Sequence, residues 1–159
     1  MISIIGCGNS NRSDDGVGVF VAQRLMKSPA VDSRIEAKQV RIFDAGTAGM
    51  EVMFQARGSS ALIIVDANQC GASPGAIFEA PGEFLANIPE PAFNLHGFRW
   101  DHALYAGRKI FKDDFPKDVS VYLIEGENFG LGLELSESVQ KSADLVVAKI
   151  EARLGISLL

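Results

Sequence analysis

Apolar positions along the chain recur in two rhythms. Short β-rich runs occupy residues 2–7, 38–43, 61–65, 76–78 and 119–124. Longer stretches between several of them carry helical spacing. Residues 16–26 place Val17, Phe20, Val21 and Leu25 on one helical face, and residues 48–57 do the same with Met50, Met53 and Phe54. Residues 101–111 and 138–154 predict further helices, the last with Gly155 as its stop. Strands alternating with helices imply parallel crossovers. The expected fold is therefore α/β: one domain over residues 1–159, a doubly wound, mostly parallel sheet with helices on both faces. Residues 80–95 contain Pro81, Pro89 and Pro91 and predict a long loop of the kind that carries function.

Open sheets of this kind bind ligands outside the carboxyl ends of their strands. The residues to inspect are then 8–15 after the first strand, 44–47 after the second, and Asp66 after the third. Gly6-Cys7-Gly8-Asn9, with Asp44 after the next strand, invites a dinucleotide reading. Asn11 occupies the place of the third glycine, however, and Asp14 and Asp15 stand where a helix terminus would hold a pyrophosphate. Two carboxylates there repel phosphate, so a nucleotide-binding module is the weaker reading.

An ordinary role for Asp14 and Asp15 is to charge or cap the first helical turn. One acid suffices for that. The second, followed by Gly16 and Gly18, which let other backbone come close, suggests a site. Asp66 ends an apolar run, Ala61-Leu62-Ile63-Ile64-Val65, that suits a strand buried on both faces. A carboxylate there either caps the following turn through Asn68 and Gly71 or belongs to a site, and the strand-end position favours the site. The chain has two histidines, His96 and His102, and chemistry alone does not choose between them. Two carboxylates with one imidazole would suit a divalent ion of borderline hardness and leave coordination positions open.

Charge and cysteine count narrow the function classes. Of 159 residues, 22% are charged and the formal net charge is -5, which argues against broad nucleic-acid binding. No apolar run approaches the roughly 20 residues that a bilayer requires, and the amino terminus lacks a basic signal-peptide lead. Cys7 and Cys70 cannot make a disulfide framework and are expected to be small buried hydrophobes. The cytoplasm is the default compartment.

Several segments together resemble the hydrogenase maturation endopeptidases. Ile5-Gly6-Cys7-Gly8-Asn9 with Asp14-Asp15-Gly16-Val17-Gly18 is similar to that family's opening motif. Phe43-Asp44-Ala45-Gly46-Thr47-Ala48-Gly49-Met50-Glu51 resembles its second block, and Leu62-Ile63-Ile64-Val65-Asp66-Ala67 its third strand and acid. Leu95-His96-Gly97 and Gly132-Leu133-Glu134-Leu135-Ser136 resemble its histidine segment and the stretch before its last helix. The blocks follow family order over nearly the whole chain. The resemblance implies an endopeptidase that removes a carboxyl-terminal extension from a nickel–iron hydrogenase large-subunit precursor after nickel insertion. It implies a metal-recognition set of Asp15, Asp66 and His96, with the nickel carried by the precursor, and it selects His96 over His102. Asp44 is implied as a contributor to recognition or cleavage. Independently of the resemblance, metal-assisted amide hydrolysis leaves a carboxylate general base open, and Asp15 or Asp44 could serve. The run Gly97-Phe98-Arg99-Trp100-Asp101-His102 departs from the family's pattern and marks a subgroup or adds His102 to the site. Glu125-Gly126-Glu127-Asn128 lacks an expected proline. A non-proteolytic metal-binding maturation chaperone is the alternative.

Overall fold

A computed structural model describes residues 1–84 and 99–156. In chain order the elements are β1 (Ile2–Cys7), α1 (Val17–Met26), α2 (Pro29–Glu36), β2 (Val40–Gly46), α3 (Gly49–Ala56), β3 (Ala61–Asn68), β4 (Ile77–Pro81), α4 (Trp100–Phe111), β5 (Asp118–Glu125) and α5 (Glu137–Arg153). The five strands form one sheet in the order β2-β1-β3-β5-β4. β1 pairs in parallel with β2 and β3, and β3 with β5; β4 alone is antiparallel, against β5. The connection from β3 to β4 carries no helix and is too short for the crossover of a dozen or more residues that a parallel return requires.

Alternate residues of the central strands feed two separate cores, as a sheet covered on both faces demands. Ile4, Ile63, Val65 and Ile124 pack with Val17, Val21 and Leu25 of α1 and Val139, Val146 and Ile150 of α5. Ile5, Leu62, Ile64 and Val121 pack with Val52 and Met53 of α3 and Ala103 and Leu104 of α4. The doubly wound, mostly parallel architecture expected from the sequence is the one observed. Gly6 and Gly18 explain how closely α1 lies on the sheet. A Cβ on Gly18 would collide with the carbonyls of Val65 and Cys7, and one on Gly6 with the Gly18 carbonyl.

Several boundaries differ from expectation. The second strand starts at Val40 and runs to Gly46, because Lys38 adopts a positive φ of 56° and the pairing with β1 continues past Asp44. The third strand extends through Asn68, held by β5, so Asp44 and Asp66 both lie within strands. The fourth begins one residue late and continues to Pro81, where the long loop was expected to have started. α2 was not expected: it has Pro29 in its first turn but buries only Val31, so it leaves no apolar period in the sequence. Gly155 does stop α5. Its φ is +73°, and the N–H groups of Gly155 and Ile156 return to the carbonyls of Ala152 and Glu151. Among the described residues, no helix is long and apolar enough to cross a membrane.

Candidate active site

The chain leaves β1 through α1 toward β2 on one side of the sheet and leaves β3 without a helix toward β4 on the other, so the connections from these neighbouring strands diverge. The crevice between such neighbouring strands is where doubly wound sheets place ligands. Here it is a cleft of about 490 Å³ lined by residues of several segments, among them Gly8, Asp15, Thr47, Asp66, Arg99 and Trp100.

Two of the acids expected at the site share this cleft. Asp15 lies in a 3-10 turn, Ser13–Gly16, that precedes α1, and its Oδ2 accepts the Asn9 N–H at 3.0 Å, folding the loop back on itself. Asp66 lies on β3. Gly8 stands between them: with φ of +124°, any side chain there would strike the Asp15 carbonyl and come within 3.4 Å of Asp66 Oδ1. The Asp66 carboxylate accepts the Ala67 N–H at Oδ1, 2.8 Å, and the Trp100 indole N–H at Oδ2, 2.7 Å. Desolvation in the cleft floor raises its pKa to about 6, against the opposing pull of Trp100, Ala67 and Arg99; Asp15 adds a smaller upward push. The turn after β3, whose capping was the ordinary role considered for Asp66, is instead capped by Glu125. That buried carboxylate accepts the N–H groups of Cys70 and Gly71 and the Asn68 amide.

Asp14 and Asp15 do not share a role, and neither caps the turn through its side chain. Asp14 is fully buried and accepts the N–H groups of Glu127, Asn128 and Ser136 and the Ser136 hydroxyl. These donors outweigh burial and hold its carboxyl below the ordinary range. The segment 126–136, tied down in this way, brings Phe129 to the cleft wall.

The remaining expected residues are placed differently. Asp44 is exposed on β2, where Oδ1 accepts the Gly46 N–H at 3.0 Å and Oδ2 accepts from Gln23 at 3.2 Å; it is not among the described residues lining the cleft. His96 lies outside the described residues. His102 sits in the first turn of α4, where Nδ1 accepts the Arg99 N–H at 3.3 Å. Among the described residues, no group of three or more His, Cys, Asp and Glu side chains is placed to hold a metal. Cys7 is buried, as expected, and burial together with Asp66 and Asp44 pushes its thiol well above the ordinary range, which excludes a resting thiolate nucleophile. Cys70 is exposed, contrary to expectation, because β3 ends at Asn68 and the turn that follows carries Cys70 to the surface.

Sequence reasoning did not single out Trp100 or Arg99 as site residues. Arg99 is the one cation among the described cleft-lining residues. The one available signal was positional: both stand in the run after His96 that departs from the family pattern.

The nucleotide reading fails on backbone accounting. The N–H groups of Gly8, Asn9 and Asn11 through Asp15 each already have an acceptor within the protein: Gly46, Asp15, Asn9, Asn9, Gly132, Asn128 and Arg12, in that order. A phosphate cradle needs such groups free and converging.

Comparison with known proteins agrees with this architecture. A protein of Methanocaldococcus jannaschii that is a candidate hydrogenase maturation protease is 28% identical over 94% of this chain and 96% of its own. The hydrogenase maturating endopeptidase HybD from E. coli superimposes with a TM-score of 0.75 at 24% identity, covering 96% of this chain and 91% of that one. The [NiFe] hydrogenase maturation protease HycI from Thermococcus kodakarensis gives 0.69 at 23% identity, over 97% and 92%. The family described as hydrogenase maturation protease matches residues 20–153, most of the chain. The chain belongs to the hydrogenase maturation protease family and is a hydrolase, a protease.

Proposed function

We propose that this protein removes the carboxyl-terminal extension of a nickel-loaded [NiFe] hydrogenase large-subunit precursor, and that Asp15, Asp66 and His96 grip the nickel carried by that substrate. The observation that carries the reading is the placement of Asp15 and Asp66 on either side of Gly8, in one cleft at the β1/β3 crevice. Two oxygen donors suit a divalent ion, and a neutral imidazole completes a set for an ion of borderline hardness. His96 stands four residues before Trp100 in the sequence, and Trp100 is bonded to Asp66.

In this reading the ion identifies a correctly loaded substrate and polarises the scissile carbonyl, and water supplies the nucleophile. The general base is Asp44, or Asp15 through the oxygen the ion leaves free. Asp44, on the rim, contributes to substrate recognition through the Gly46 turn. The test is mass spectrometry of the precursor before and after incubation with the protease. Wild type trims the nickel-loaded precursor and spares the nickel-free one. Asp15→Ala, Asp66→Ala and His96→Ala each fold but fail to trim. Trimming at the wild-type rate by a folded Asp66→Ala variant would remove the basis of the reading. Unchanged precursor mass together with nickel binding would point to a chaperone instead.

A further inference from the structure

A carboxylate on a strand turns freely about two side-chain torsions unless something outside the strand fixes it. At Asp66 the second fixed point comes from another element. Trp100 opens α4, is only 5% exposed, and belongs to the apolar cluster that contains Val52, Met53, Ala103 and Leu104. Packing therefore holds the ring, and its Nε1–H donates to Asp66 Oδ2 at 2.7 Å while the Ala67 N–H occupies Oδ1 at 2.8 Å. Each oxygen carries one donor and keeps a further lone-pair direction for a ligand. Filling the core alone would need no polar atom at that point of the ring; a phenylalanine would serve.

We propose that Trp100 is a positioning residue: its indole N–H holds the Asp66 carboxylate in the orientation that receives the divalent ion of the substrate. The inference rests on the proposed function, in which Asp66 meets that ion. It adds the partner that makes Asp66 a preorganised donor, as outer-shell hydrogen bonds do at metal sites generally.

Trp100 is the only tryptophan in the chain, so replacing all tryptophan by its benzothiophene isostere in an auxotrophic host changes this one residue and removes only the N–H donor. Binding of Ni²⁺ by calorimetry and trimming of nickel-loaded precursor are measured for wild type, the isostere protein, Trp100→Phe and Asp66→Asn, each beside a thermal melt. The isostere and Trp100→Phe are expected to lose about 10-fold in Ni²⁺ affinity or trimming rate, the isostere with a cooperative melt that shows it folded. The single indole ¹⁵N–¹H resonance provides a metal-free readout: it moves when Asp66 becomes Asn, because the acceptor loses its charge. An unmoved resonance would overturn the bond. A folded isostere protein that trims like wild type, while Asp66→Asn does not trim, would overturn the positioning role and leave the site reading intact. Asp66→Asn trimming like wild type would overturn both.

Discussion

Asp14 and Ser136 are joined by two hydrogen bonds, the Ser136 N–H to Oδ1 at 2.7 Å and its hydroxyl to Oδ2 at 2.9 Å. One residue precedes α1 and the other immediately precedes α5, so the pair locks the start of the chain's first helix to the start of its last. Glu127 and Asn128 donate to the same carboxylate. Asp14→Ala would leave buried N–H groups without an acceptor. We expect a loss of about 2–4 kcal/mol of stability, since hydrogen bonds to charged groups are worth about 1.5–3 kcal/mol each and do not add. Urea unfolding of wild type and variant measures it. A midpoint within error of wild type would show that the carboxylate does not hold the loop.

The same acids set the pH dependence. Asp14 and Glu125 have folded pKa values below their ordinary ones, each because backbone N–H groups favour the charged form over the cost of burial. Their contribution is complete above roughly pH 4–5 and is lost as pH falls through their folded values. Asp66 acts in the opposite sense. Burial raises it from 3.8 to about 6, so its contribution is complete below about 3.8 and is lost as pH rises through 6. Stability in urea is therefore expected to climb from acid toward about pH 4 and to decline between about pH 4 and 6, with little further change above that. Asp66→Asn should abolish the decline and gain roughly 1–3 kcal/mol at pH 8, the upper end corresponding to the whole of that rise. A variant that shows the wild-type decline would place the titration elsewhere.

Much of the fold was legible because the signals were strong where the sheet is deepest. The run Ala61–Val65 is apolar on both faces, and α1, α3 and α5 carry regular apolar stripes. α2 was missed because its single buried residue, Val31, makes no stripe. The direction of β4 was not legible, since strand polarity depends on a connection whose path leaves no pattern. In the cleft, Asp66 was legible because it follows a run of apolar strand residues, and Asp15 because one acid already suffices at the start of the first helix; both line the cleft. Trp100 was not, because its N–H points at Asp66 across 34 residues of sequence and only the packing of α4 brings them together. The converse holds for Asp14: sequence gave it the same helix-start role as its neighbour, whereas only the tertiary fold supplies its donors from residues 127–136.

Nucleotides should not bind. In the loop after β1 the N–H groups of Gly8, Asn9 and Asn11 through Asp15 are bonded to Gly46, Asn9, Asp15, Gly132, Asn128 and Arg12, and the carboxylate facing the cleft there is Asp15. Calorimetry with NAD, FAD and ATP is expected to show no heat of binding. Micromolar affinity for any of them would require the loop to open and would contradict this account.

Two glycine substitutions separate the site from the fold. At Gly8 the backbone has φ of +124°, and an added Cβ meets the Asp15 carbonyl and approaches Asp66 Oδ1. Gly8→Ala must therefore displace the Asp15 backbone and with it the placement of Asp15 relative to Asp66. Gly18 lies in the first turn of α1, where an added Cβ meets the Val65 and Cys7 carbonyls of two central strands. Neither strand can yield, so Gly18→Ala must push α1 off the sheet. Overpacking of this kind costs about 1–3 kcal/mol, and at Gly18 we expect the upper end or more, with soluble yield reduced. At Gly8 the strain of a positive φ adds about 1–2 kcal/mol, yet the sheet and both cores are untouched. The expected outcome is a folded Gly8→Ala protein that does not trim nickel-loaded precursor and binds Ni²⁺ at least 10-fold more weakly. Gly18→Ala is expected instead to lose activity only in proportion to the fraction unfolded, which circular dichroism measured beside the mass assay would show. A Gly8→Ala protein with full trimming activity would mean that the spacing of Asp15 and Asp66 does not govern the reaction.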